Sequence, residues 1–281
     1  MTYISAIKTT EGIVFSADSK ELLAGGLFLW EDFQELVAAK STTEKSVKKL
    51  FSAKDIHQLI QKRSQLIAGR IRSTDRGLKL FNIGDTCALA VAGKANPGGK
   101  EWPEIISLIE NEVGASDEDT LTNIIETTFK IVGGLFKKDG AEKFTAETLI
   151  GGYDRTTNQF VLYRFYFAER FKLHANGDIK LDKKGKPMKE RTFSKVLRDD
   201  KLSTGGWTTF VSELGNFNRL PVSINLQQGF RLAQRITELA VVIEDIQNEV
   251  PGIGGPIRYA VIVKKGFFWV SSEAEALNCL K

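Results

Sequence analysis

The chain begins MTYISAIKTTEGIVFSADSKE. A threonine stands directly behind the methionine, at the head of a segment that reads as a strand. Tyr3–Lys8 and Ile13–Ala17 read as two strands around a hairpin turn at Glu11-Gly12. That turn returns Asp18 to the neighbourhood of Thr2. The hairpin is either plain folding or the start of an active site. The other residue types that carry chemistry are sparse. His57 and His174 stand in unrelated polar contexts, and Cys87 and Cys279 are far apart in sequence. With no cysteine cluster, a transition-metal site is not expected. Two cysteines make no disulfide framework, so both are read as reduced thiols of a cytosolic protein.

The elements that must position these residues follow from pattern. Leu27–Ala39 and Ala53–Arg72 read as helices, the second with apolar residues at mixed helical spacing. Leu78–Ile83 and Cys87–Ala92 read as a strand pair turning at Gly84-Asp85. Glu101–Val113 reads as a helix. Ser116-Asp117-Glu118-Asp119 supplies a capped, acidic start for another that runs to about Leu135. Thr148–Gly152 and Phe160–Phe167 are strands around the turn 154–158, and His174 lies in a hairpin running to Leu181. LDKKGKPMKER (181–191) is a basic loop, read as a solvated hairpin tip in preference to a contact for an acidic partner. Residues 226–249 form the strongest helix, with Leu226, Phe230, Ala233, Ile236, Ala240 and Ile243 spaced by threes and fours. PGIGGP ends it, and IRYAVIV and GFFWVS form a last strand pair. Two sheets packed on one another, with helices on both outer faces, bury this order well.

Bulk composition limits the function classes. The chain has 281 residues, 42% of them hydrophobic and 26% charged, an ordinary globular balance for one domain. Its net charge of +4 is read as too mild and too dispersed to argue for nucleic acid. No apolar run approaches the roughly 18 residues of a membrane span, and no leader is read at the start. A cytoplasmic location is expected.

Four stretches, taken in order, resemble a known pattern. MTYISAI with GIVFSADSK looks like the first hairpin of a proteasome β-type subunit, and KLFNIGDTCALAVAG like its second strand pair. LIGGYD with FVLYRF resembles the central strands. RLAQRITELAVVIEDIQNEVPGIGGPIRYAVIV resembles the closing helix, glycine turn and strand. The chain thus resembles the N-terminal-nucleophile hydrolase superfamily over nearly its whole length, and among its members the bacterial self-compartmentalising homologues of the Anbu type. The resemblance implies a single α+β domain over 1–281, a four-layer αββα sandwich with an inserted helical segment near residues 21–76.

It also implies a chemistry. The family's nucleophile is a threonine with a free amine, here Thr2 after removal of Met1. An α-amino group, with a pKa of about 7.7–8.0, is a suitable base for the hydroxyl of the same residue. Asp18 follows Thr2 at the family spacing for the acidic residue, and Lys79 matches the family lysine that this carboxylate holds. An ammonium nearby favours the less protonated form of the threonine. Gly93 follows Lys79 at the family spacing, and its backbone N–H would stabilise an oxyanion. Val91 would line the substrate pocket and favour apolar side chains. No metal and no organic cofactor are needed. The implied partners are a peptide or unfolded protein as substrate, further copies in a homo-oligomeric ring and an ATP-dependent unfoldase; neither nucleic acid nor a membrane is expected.

The sequence departs from the family at three places. Sixty residues separate Asp18 from Lys79, far more than usual, and Lys49 inside that insertion is a second candidate lysine. The polar residues that support the amine from the closing turn fall on Val250 and Ile253, with Glu249 one residue off register. The supporting serine before the last long helix has only Ser203 or Thr204 as counterparts. Two readings follow: a threonine-type peptidase or amidase, and a catalytically inactive structural subunit of the same kind. A generic α+β binding domain accounts for the element order but not for the two spacings.

Overall fold

The computed structural model describes residues 2–24, 71–74, 77–93, 96–115, 120–138, 146–198, 202–206, 223–247 and 253–281. The chain divides into two compact units, one of Met1–Glu21 with Asp75–Lys281 and one of Leu22–Thr74. β3 (Glu21–Ala24), all but its first residue in the smaller unit, pairs with β4 (Ile71–Thr74) as a two-stranded sheet. The helix expected to run to Arg72 is therefore wrong at its end, where Ile71 and Arg72 are strand residues. β-branched Ile71 and Thr74 suit a strand, and pairing with β3 decides the matter. The rest of that helix, the one at 27–39, Lys49 and His57 lie outside the described residues.

The larger unit is α+β, with two five-stranded antiparallel sheets. The first sheet has the order β10-β1-β2-β11-β12, from β1 (Tyr3–Lys8), β2 (Ile13–Ala17), β10 (Leu202–Gly206), β11 (Arg258–Val263) and β12 (Gly266–Val270). The second runs β5-β6-β7-β8-β9, from β5 (Leu80–Ile83), β6 (Cys87–Gly93), β7 (Ala146–Asp154), β8 (Gln159–Phe171) and β9 (Lys189–Leu197). Four α-helices are described: α1 (Trp102–Gly114), α2 (Leu121–Lys138), α3 (Leu226–Gln247) and α4 (Glu273–Asn278).

The central strands are apolar on both faces, because both faces are covered. On β6, Ala88, Ala90 and Ala92 join a cluster that also holds Ile4, Phe15 and Ile262 of the first sheet. The alternate residues Cys87, Leu89 and Val91 join Trp102, Ile105 and Phe136 of α1 and α2. On the first sheet, Ile7, Val14 and Val261 turn the other way, toward Leu226, Phe230 and Ala233 of α3. A row of hydroxyls crosses the same sheet. Ser5 Oγ lies 2.6 Å from Ser16 Oγ, Ser16 Oγ lies 2.8 Å from Thr237 Oγ1, and Thr237 donates to the Ala233 carbonyl at 2.7 Å.

The helix ends are set by local sequence. Asn225 caps α3, its Oδ1 accepting from the Gln228 N–H at 2.8 Å while Gln228 Oε1 accepts from the Asn225 N–H at 3.1 Å. Glu11, in the β1–β2 turn, accepts from the Leu226 N–H at 2.8 Å. Thr120 caps α2 through the Asn123 N–H; the Ser116–Asp119 run expected to do so lies outside the described residues. β9, β10 and α4 were not anticipated from pattern.

Candidate functional site

The site grows from the two ends of a short excursion in the first sheet. β1 and β2 are paired so that Ile4 faces Ala17, and Asp18 comes next opposite Tyr3. The Asp18 N–H donates to the Tyr3 carbonyl at 3.2 Å, and the Tyr3 N–H returns to Asp18 Oδ1 at 2.8 Å. That nitrogen belongs to the peptide joining Thr2 to Tyr3. The carboxylate thus grips the chain one residue beyond Thr2, which is half-buried.

Asp18 Oδ2 accepts from Lys79 Nζ at 2.9 Å, and also from the backbone N–H groups of Lys20 and Gly254, each at 3.2 Å. Asp18 is fully buried, and the Lys79 side chain is 9% exposed. Lys79 Nζ also donates to the Lys20 carbonyl. One carboxylate therefore joins the ammonium of Lys79 to the backbone beside Thr2. Four donors are what a buried carboxylate needs, since each unfilled lone pair would be costly. Burial pushes the Asp18 carboxyl above the ordinary carboxylate range; the charge and hydrogen bond of Lys79, and the N–H groups of Tyr3 and Gly254, act against that rise.

The turn before β11 supplies part of this cage. Gly254 has φ +148°, and its carbonyl accepts from the Ser19 and Lys20 N–H groups at 3.1 and 3.0 Å. A side chain at that φ would be strained, which gives the glycine its physical reason. Lys20, Gly254 and the Tyr3 backbone were not singled out from sequence. The signal for Gly254 was present in PGIGGP, but which donor a glycine turn presents is a matter of tertiary approach. Ser19, 2% exposed, has an Oγ without a hydrogen-bond partner among the described residues.

Lys79 is placed by the second sheet. The Val91 N–H donates to the Lys79 carbonyl at 2.8 Å, continuing the register in which Leu80 faces Ala90. From this position the Lys79 side chain reaches Asp18 of the first sheet. Val91 is 4% exposed and packs in the cluster with α1 and α2. Gly93 ends β6 opposite Ala146, is exposed, and has φ +103°.

The supporting positions differ from expectation. Ser203 and Thr204 are in strand β10, not a loop, and face Ala6 and Ser5. Ser203 accepts from Arg198 Nε at 3.3 Å. Four residue steps of strand, about 13 Å, separate Thr2 from Ala6, so Ser203 is held well along the strand from the threonine. Ile253 is fully buried and packs with Tyr3, Ile236 and Ala240. The turn therefore offers an apolar side chain and a backbone N–H. Met1, Val250 and Glu249 lie outside the described residues.

No protein-family model matches the chain, and no curated protein matches it at a significant level of similarity. Among the described residues, no helix is long and apolar enough to cross a membrane, and no group of three or more His, Cys, Asp or Glu side chains is placed to hold a metal ion.

Proposed function

We propose that the chain is a threonine-type peptidase or amidase subunit of a self-assembling, proteasome-like complex, built as a four-layer αββα sandwich. The observation that carries this reading is the Asp18 carboxylate, which binds the Lys79 ammonium and the peptide N–H next to Thr2 at once. The layering is supported by apolar clusters that join the two sheets to each other, the second sheet to α1 and α2, and the first sheet to α3.

In this mechanism Met1 is removed, and the Thr2 amine takes the proton of its own hydroxyl. Thr2 Oγ1 attacks a substrate carbonyl, Lys79 favours the deprotonated nucleophile, and the Gly93 N–H receives the charge that develops on oxygen. The amine then protonates the leaving nitrogen, and water releases the acyl group. Val91, opposite Lys79 along the strand pair, is assigned the apolar lining of the substrate end. The subunit acts on peptide or unfolded protein inside a homo-oligomeric ring served by an unfolding ATPase, in the cytoplasm.

A second reading, a structural subunit without activity, is favoured by one observation. Ile253 fills with hydrocarbon a position where support for the amine is expected.

Intact mass shows whether Met1 is gone. Labelling with a peptide epoxyketone then separates the readings. The hydrolase adds the probe once per chain, and Thr2→Ala abolishes the adduct. Protein that has lost Met1 and takes no label is the structural subunit.

A further inference from the structure

β8 is longer than the sheet that carries it. Its pairing with β7 ends at Tyr166, and from Phe167 to Phe171 it is accompanied by β9 alone. Beyond that the chain makes an ordered arm. Lys172 donates to the Met188 carbonyl, Lys180 to that of Lys172 and Met188 to that of Lys180, at 2.8–2.9 Å. Asp182 Oδ1 closes the outer turn by accepting from the Lys184 and Lys186 N–H groups at 2.8 and 2.9 Å.

This well-formed arm leaves Phe171, Leu173, Ile179, Leu181 and Met188 between 37 and 56% exposed. Clustered apolar exposure of this kind marks a contact surface. The arm also carries the protein's charge. Residues 170–190 hold seven Lys or Arg and three Asp or Glu, a net +4. The whole chain has 39 basic and 35 acidic residues, so the remainder balances at 32 and 32. The basic excess expected to be dispersed is concentrated in one projection.

The complementary surface is α1. From 101 to 114 it has Glu101, Glu104, Glu110 and Glu112 and neither Lys nor Arg. All four glutamates are exposed, and Leu108 stands among them 38% exposed. Lys100, just before the helix, pairs with Glu104, and Glu110 accepts from the Gly84 N–H at 3.2 Å.

We propose that the arm of one copy docks on the outward face of α1 of a second copy, its lysines over the glutamates and its apolar residues around Leu108. Two different patches meet in such a contact, so it repeats from copy to copy. An arm of this length suits a standard interface, roughly 800 Å² and 20–30 residues on each side. The proposal rests on the self-assembly in the reading above, but not on the chemistry of Thr2.

Sedimentation velocity of the full chain tests it with two charge-reversed proteins. One carries K183E, K184E and K186E; the other carries E101K, E104K and E112K. Wild type is expected to self-associate, more weakly at high salt. Each reversed protein alone should lose about tenfold or more in affinity, with an unchanged circular-dichroism spectrum. The two mixed should recover assembly, because the acidic arm of the first meets the basic helix of the second and the basic arm of the second meets the acidic helix of the first. One chain bearing all six changes should recover it, since arm and helix then attract with signs exchanged. Wild type that is monomeric at every concentration, reversed proteins that assemble as wild type does, or a six-change chain that stays apart each overturns the proposal. So does an arm that binds heparin while the chain never self-associates. Epoxyketone labelling of the same samples reads Thr2 separately: a monomer that labels keeps the hydrolase, and an assembly that does not label keeps the interface.

Discussion

Asp18 and Glu273 are both carboxylates held by a cation, and their surroundings move them in opposite directions. Asp18 is sealed between two strands and a turn, and burial raises its pKa against the pull of Lys79. Glu273 lies on the surface, where the hydrogen bonds of Arg231 and Gln227 lower its pKa. Arg231 grips it through two nitrogens, one at 2.9 Å. The tighter cage is the one that disfavours charge. Solvent removes most of the energetic content of the exposed pair, whereas the buried pair cannot lose one member without leaving the other stranded.

The largest effect that breaks this comparison comes from Asp18→Ala. It leaves the Lys79 ammonium buried without its carboxylate and should cost about 3–5 kcal/mol of unfolding free energy, read by urea denaturation. Lys79→Met alone should also destabilise, and Asp18→Leu with Lys79→Met should regain much of the loss, because a pair removed together strands nothing. A double variant no better than the single one would mean that the cage is needed for its backbone contacts and not for its charges.

Next comes the hydroxyl row. Ser16→Ala removes the link between Ser5 and Thr237, both fully buried, and should cost about 1–3 kcal/mol. Ser16→Thr, which keeps the hydroxyl, should recover part of this in the same denaturation assay.

A subtler effect is read by pH. A folded pKa above the unfolded one means that the native state binds the proton more tightly. Asp18 therefore contributes stability that is fully present below its unfolded pKa of about 3.9 and is lost as pH rises through the raised folded value. Glu273 does the reverse: its contribution is present above about 4.3 and is lost as pH falls through the depressed value. Carboxyl carbon-13 titrations should place the Asp18 midpoint above, and the Glu273 midpoint below, that of an exposed residue of the same kind. Matching shifts would remove the contrast. The smallest effect belongs to Arg231→Ala, which should leave the thermal midpoint where it was.

Much of this was legible where the sequence carries a strong period or an uninterrupted apolar run. α3 could be read from its spacing, and β2, β6 and β11 from runs that are buried on both faces. KERTFSKVL, which became β9, is half-buried and largely polar, and LSTGG, which became β10, is small. Both are strands because of the neighbours they pair with, β8 and β1, and neither pairing is written in local propensity. At the site, Asp18 and Lys79 could be named only through the family resemblance of the stretches that hold them. Backbone donors have no side-chain signature, so the N–H groups of Lys20 and Gly254 could not be. Ser203 was misplaced because a short polar segment looks the same in a loop and at the edge of a sheet.

The hydroxyl row has a consequence for where the chain begins. Thr237 gives its proton to the Ala233 carbonyl, so it can only receive from Ser16, and Ser16 in turn from Ser5. Only one alignment of β1 on β2 sets serine against serine. A slip of one residue would bring Ser5 against Phe15 or Ala17, and a slip of two against Val14 or Asp18. The row therefore acts as a ruler, fixing to within one residue how far Thr2 stands beyond the end of its sheet.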